Sequence, residues 1–317
     1  MKHTAFLLSA ILLLCLCAAA AQNRGPRQAR FLLAGVAERA TNVREATLTV
    51  SPGGSQKMVD MPRGSDLTIT ERTNAQSEPW CKVSGSPNPD GNAPAVTGWT
   101  PCKPLVSTSV ANADQVVYGE AVDSERDAQQ RRGRKSAAQD AMRLYRRTAD
   151  MFPSSPLAGE GLWRSADIRW QLERLKGRKP DEQYMKEVIQ RFPGSRWADL
   201  AAYEMLDNVL CDSWNGLPDC PTKEADAYER YAQEHPRSPK AAEALYNAAA
   251  RQAAVADMFR VANQTDKSAA AHNKAIALAQ QIVGQFSDAG WKPRALNLLY
   301  KLQQNIPLYA VNVEESQ

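Results

Sequence analysis

Histidine is nearly missing from this chain: 317 residues hold three copies. His3 lies in the short start that precedes the N-terminal apolar stretch, His235 sits in a turn phrase, and His272 falls on the polar face of an expected helix. There is no P-loop, no G-x-S-x-G, no H-E-x-x-H and no G-x-G-x-x-G, so phosphate cradles, nucleophile elbows, zinc helices and dinucleotide folds have no sequence support. The acidic pairs Asp181-Glu182 and Glu224/Asp226 stand at expected helix starts, where carboxylates oppose the N-terminal dipole rather than work as an acid and a base. The chain therefore reads as non-enzymatic, with no cofactor and no metal.

A strong charge of one sign is also missing. The net charge is +4, which selects no class of partner. Long apolar runs are absent except between Ala5 and Ala21, and that one falls short of the ~20 residues a spanning helix needs. It follows Met1-Lys2-His3 and ends in Ala19-Ala20-Ala21, the pattern of a secretory signal over 1–21 with cleavage before Gln22. A lipoprotein is an alternative because Cys15 and Cys17 lie near the cut, but each follows a Leu where Gly, Ala or Ser is wanted. An uncleaved anchor is the third reading. The chain would contact a membrane only through one of these last two routes.

Cysteine is scarce as well. Beyond the leader four remain: Cys81, Cys102, Cys211 and Cys220. An even number in an exported chain argues for disulfides, and four cysteines allow three pairings. Cys81–Cys102 and Cys211–Cys220 are favoured because each pair lies inside one expected domain. A zinc site is the alternative, but no C-x-x-C and no nearby His supports it.

What the chain does contain is a recurring phrase. Phe152-Pro153-Ser154-Ser155, Phe192-Pro193-Gly194-Ser195 and His235-Pro236-Arg237-Ser238 repeat an aromatic or His, a Pro and a Ser. The fifth residue after each Pro is Ala158, Ala198 or Ala241, and the tenth is Trp163, Tyr203 or Tyr246. Upstream stand Tyr145, Tyr184 and Tyr228. Pro disfavours helix in the residue before it, so a first helix should stop at Phe152, Phe192 and His235. Ser155 and Ser238 are expected as N-caps of a second helix, with Pro156 and Pro239 at its first position. Ala at the fifth position lets the two helices lie close, and the aromatic at the tenth fills the groove beyond. A fourth copy is expected around Phe286, with Ala295, Leu299 and Tyr300 keeping the spacing.

These residues resemble the tetratricopeptide (TPR) family, whose unit is ~34 residues of helix-turn-helix. The likeness is to the TPR variety of bacterial envelope proteins, the Tol–Pal-associated and outer-membrane-assembly type. The prolines here stand farther apart than that period, so helices or loops must be longer.

Before the repeats the texture is that of strands. Ala46–Val50 alternates and stops at Pro52-Gly53-Gly54; Leu67–Thr70 alternates after Pro62-Arg63-Gly64; Trp80–Val83 is another short run. Short strands between Gly, Pro, Asn and Ser indicate a small barrel. The order of Ala46 with Val50 and Pro52, Gly64-Ser-Asp-Leu67-Thr-Ile69, Trp80-Cys81-Lys82-Val83 and Gly98-Trp99-Thr100 resembles the bacterial SH3-like (SH3b) domain. The insertion from Ser84 to Pro94 reads as an exposed loop.

The expected fold class is thus two-domain, a small all-β SH3-like barrel followed by an all-α TPR-like helical solenoid. Its parts are the signal 1–21, a flexible arm or short docking helix 22–41, the barrel 42–106, a linker 107–135, helical repeats 136–306 and a tail 307–317. Within the linker, Gln115–Tyr118 reads as a last strand, and the basic run Arg131–Lys135 as a solvated helix start.

Function then rests on surface. Trp80 is a candidate ligand contact as well as a core residue, and Trp99 reads as core. Seven and six residues before each Pro stand Arg146 and Arg147, Lys186 and Glu187, Glu229 and Arg230. Arg146, Arg147, Lys186 and Arg230 are the candidate grip on a partner; as solvated charges they need none. The resemblances imply an exported adaptor of the periplasm and cell envelope. Its barrel would contact peptidoglycan or a peptide, its array would bind an envelope protein, and nucleic acid is no partner. The alternatives are an assembly subunit of an envelope complex and an activator of a cell-wall hydrolase.

Overall fold

The computed structural model describes residues 37–89, 93–287 and 290–309. The signal sequence with Cys15 and Cys17, most of the arm and the last eight residues of the tail lie outside the described residues. The described residues fall in one compact unit.

Seven strands come first: β1 Glu38–Asn42, β2 Ala46–Thr49, β3 Lys57–Met61, β4 Asp66–Ala75, β5 Glu78–Gly85, β6 Val96–Pro101 and β7 Leu105–Ser107. They form one antiparallel sheet in the order β3-β2-β6-β5-β4-β1-β7. Its hydrogen-bond ladder is open, with β3 and β7 as edges, where the sequence suggested a small closed barrel. One difference from the expected boundaries is β1, which forms almost wholly from residues assigned to the arm and pairs with both β4 and β7. One face buries Ala40, Leu48, Met61, Leu67, Ile69 and Val83. The β4–β5 hairpin turns on Gln76 and Ser77, both at positive φ, the two-residue geometry that matches strand twist. Cys81 is bonded to Cys102 with Cα atoms 5.1 Å apart, tying β5 to the turn after β6.

Nine helices follow among the described residues: α1 Ala113–Gln129, α2 Ala137–Met151, α3 Ala158–Leu175, α4 Gln183–Arg191, α5 Arg196–Glu204, α6 Asp219–Glu234, α7 Ala241–Val261, α8 Thr265–Gln285 and α9 Trp291–Gln303. Helix α1 corrects the strand expected at Gln115–Tyr118. The pair Val116-Val117 suggested a strand, but Ala113, Val117 and Ala121 repeat every four residues and are buried on one face. The basic run lies in the turn between α1 and α2, with Arg134 bound to Asp127 and Asp140 at 2.7 and 2.5 Å.

The three turn phrases fold alike. Phe152, Phe192 and His235 end their helices with φ near −129°, −130° and −125° and ψ near 61°, 55° and 55°, outside the helical region that a following Pro disfavours. The second helix starts differently from expectation in two of them. Ser155 and Ser238 do not cap; their hydroxyls accept from Leu157 and Lys240 N–H at 3.1 Å, closing a turn through the Pro, and the helix begins at Ala158 or Ala241. Ser195, with Arg196 after it instead of Pro, is a true N-cap and accepts from Ala198 N–H at 3.2 Å.

Ala158, Ala198 and Ala241 are buried at the helix crossings. The tenth-position aromatics each reach the next hairpin. Trp163 stacks on Trp197 at 5.4 Å, Tyr203 meets Tyr231 at 5.2 Å, and Tyr246 meets Trp291 at 5.4 Å. Offset or edge-on rings at such distances add to the stabilisation that burial alone gives. In the fourth hairpin Ala295 and Leu299 are buried as expected, but Tyr300 is exposed.

The sheet is joined to α2. Arg39 reaches Asp66 at 2.7 Å and the Asp150 carbonyl at 2.6 Å, Arg147 reaches Asp66 at 2.6 Å, and Arg143 donates to the Arg63 carbonyl at 2.8 Å.

Candidate functional site

Stacked helix pairs bury one face and display the other, and the charged first helices α2, α4 and α6 carry the displayed cations. Arg146 forks onto Glu187 at 3.0 and 2.9 Å and also meets Asp150 at 3.3 Å. Arg191 closes the set, with Asp150 at 2.7 Å and Glu187 at 3.1 Å. This quartet clips α2 to α4. Arg147 points the other way, into the sheet joint, where its side chain is 12% exposed and burial pushes its guanidinium pKa down. It belongs to the joint and offers no open surface.

Lys186 pairs with Glu182 at 2.8 Å, and Glu229 crosses to Lys274 of α8 at 2.8 Å. Hydrogen bonds from Lys186 and Asn208 hold the Glu182 carboxyl below its ordinary range. Arg230 is exposed. Two open grooves meet here and share Glu182 as a wall. One, of about 630 Å³, is lined by Lys179, Asp181, Lys186, Glu187 and Asn208. The other, of about 640 Å³, is lined by Met205, Leu206, Val209, Asp226, Arg230, Tyr231 and His235. Lys186 thus lines the first groove and Arg230 the second, while Arg146 and Arg147 line neither.

The second groove opens where helix packing is loosest. Other consecutive helices approach each other closely at the backbone, but α5 and α6 do not. Side chains close this seam. Tyr231 Oη donates to the Asp199 carbonyl at 2.8 Å, and His235 Nδ1 lies 2.8 Å from Asp199. Cys211–Cys220, with Cα atoms 6.4 Å apart, staples the connecting loop. Under that loop Glu224 is almost fully buried, and it accepts from Arg251 Nε at 2.6 Å, Cys211 N–H at 2.9 Å and Trp214 Nε1 at 3.3 Å.

Sequence reasoning missed a carboxylate group on the second helices. Glu204 is pushed up to about 7 by burial, reinforced by Asp167 and Asp207, and burial also raises Asp167. Asp167 comes from α3 and Glu204 and Asp207 from the stretch of α5 and the turn that follows it, so no local spacing links Asp167 to the other two.

Trp80 and Trp99 are both buried, at 7% and 9% exposure, so neither offers an open ring face. The Trp80 indole N–H is buried without an acceptor among the described residues, and Lys82 Nζ lies 5.7 Å over the Trp99 ring. The one described group of Cys, His, Asp and Glu close enough for a metal is Cys211, Cys220 and Glu224. Its sulfurs are bonded to each other and its carboxylate is taken by Arg251. No helix among the described residues is long and apolar enough to cross a membrane.

No protein-family model matches the chain, and no curated protein matches it. Among solved structures it is similar to the DHF79 filament, at 16% identity over 58% of this chain and 95% of that one, with a TM-score of 0.23. It is also similar to the de novo designed helical repeat protein DHR64, at 15% identity over 61% of this chain and 93% of that one, with a TM-score of 0.23. The DHF119 filament gives 15%, 60%, 92% and 0.24. Likeness at this level carries no weight for fold or function.

Proposed function

We propose that this protein is a non-enzymatic exported adaptor of the bacterial cell envelope, in which TPR-like helix pairs hold a partner protein and an SH3-like sheet module contacts wall material or a peptide. The observation that carries it is the pair of adjoining grooves, one along α4 and the other between α5 and α6. In the second groove Lys223, Asp226 and Arg230 surround apolar Met205, Leu206 and Val209, a charged rim around a hydrophobic floor of the kind protein-binding surfaces show, and Lys186 lines the adjoining groove. The two disulfides support an oxidising compartment outside the inner membrane. The second reading, an assembly subunit, is favoured by the quartet around Arg146, whose charges are spent within the chain.

Two measurements divide these. Full-length mature chain is sedimented with purified peptidoglycan sacculi; co-sedimentation is expected, and a chain left in the supernatant removes the wall-contact role. A pull-down from envelope extract then compares the native chain with the Lys186→Glu/Arg230→Glu variant. Loss of a specific band supports the grooves as the binding surface, and an unchanged set of bands removes them.

A further inference from the structure

Helix α9 ends in a left-handed cap, with Asn305 at φ +54° and Ile306 N–H returned to the Lys301 carbonyl at 2.9 Å. Pro307 prevents the helix from resuming, and the next two residues bind elsewhere. Asp257 of α7 accepts two successive backbone N–H groups, Leu308 at 2.7 Å and Tyr309 at 3.1 Å. Its carboxylate is 15% exposed, so these are charge-assisted bonds in largely dry surroundings. The Leu308 side chain packs against the core of α6–α9. The Tyr309 ring lies 5.8 Å from Trp214 on the disulfide loop, and its hydroxyl accepts from Gly216 N–H at 3.2 Å. A cavity of about 490 Å³ continues beside the segment, walled by Ala253, Ala256, Ser268 and His272.

A fixed acceptor for consecutive main-chain N–H groups, an apolar socket and an aromatic shelf are the parts with which proteins read a linear peptide. We propose that this is such a site, held in the resting chain by its own residues 307–309, and that it takes from a partner protein a peptide bearing a leucine followed by an aromatic residue. It stands on α7, α8 and the disulfide loop, and does not draw on the grooves at Lys186 and Arg230. The tethered segment competes at an effective concentration in the millimolar range, so it masks the site from weak ligands until one of better fit displaces it. The other account of the same contacts is a fixed end-cap on the last helix pair, and it predicts no exchange.

The probe is a labelled, amidated peptide of residues 304–309, followed by fluorescence anisotropy on the full chain. The Leu308→Ala/Tyr309→Ala variant, its own segment weakened, is expected to bind the peptide at least tenfold tighter than the native chain. Adding Asp257→Ala should remove that binding. A variant that melts like the native chain yet binds no peptide overturns the proposal, as does binding indifferent to Asp257. Should the double variant not fold, the native chain is titrated with excess peptide while the amide resonances of Leu308 and Tyr309 are followed. Movement toward their free-peptide positions is expected, and resonances that stay in place overturn the site.

Discussion

Glu204 is where single-residue chemistry most affects the fold. Its carboxyl is held up to about 7, chiefly by burial, with Asp167 and Asp207 repelling its charge and Lys240 and Arg174 relieving it in part. The folded chain therefore holds this proton more tightly than the unfolded chain, whose ordinary value is 4.5. Its contribution to stability is complete below that value and lost as pH rises toward 7. Glu204→Gln should be more stable than the native chain at pH 8 by about 1–2 kcal/mol and equal to it at pH 4, read from urea unfolding at both. Glu224 matters through its buried ion pair with Arg251. Glu224→Ala strands Arg251 and should cost roughly 3–5 kcal/mol, whereas Glu224→Leu with Arg251→Met should cost far less in the same assay. The sequence placed Glu224 at a helix start and no more; its burial depends on Arg251 27 positions away, a contact that only the folded chain makes. Arg147 was illegible for a like reason: its neighbour Arg146 has the same local pattern, and only the docked sheet separates their roles.

At the scale of elements, the turn phrases were the most legible part, because Pro constrains its predecessor wherever the chain goes. The start of the following helix was less so. A Ser hydroxyl has two nearby backbone partners, and the adjoining Pro in two copies tips it from cap to turn. Strand β1 and helix α1 were missed at the edges of the sheet module, where short segments take their form from what they pack on. The joint of sheet and α2 gives a sharp prediction. Gly64 has φ +74°, and an added Cβ would lie 2.7 Å from Arg143 Cβ and 2.9 Å from Leu144 N. Gly177 has φ +67° with open space around it. Gly64→Ala should lower stability by roughly 2–4 kcal/mol and Gly177→Ala by about 1 kcal/mol, compared by urea midpoints; equal losses would mean that the sheet does not press on α2.

The whole molecule couples two textures that the sequence presents as separate. Arg39, Arg143 and Arg147 tie sheet to helices across sequence distances that no local pattern reveals. A single cooperative thermal transition, seen alike by far-ultraviolet circular dichroism and tryptophan emission, is expected for the oxidised chain. Two separated transitions would mean that the sheet folds on its own and the ion pairs of the joint carry little.

The central claim is that the adjoining grooves along α4 and between α5 and α6 form a surface for another protein. A photoreactive residue at position 230, and a control at exposed position 300 on α9, would be irradiated in intact envelopes. The account predicts one discrete adduct from position 230, absent at 300 and diminished by Lys186→Glu. A ladder of adducts equal at both positions, or none at 230, would contradict it.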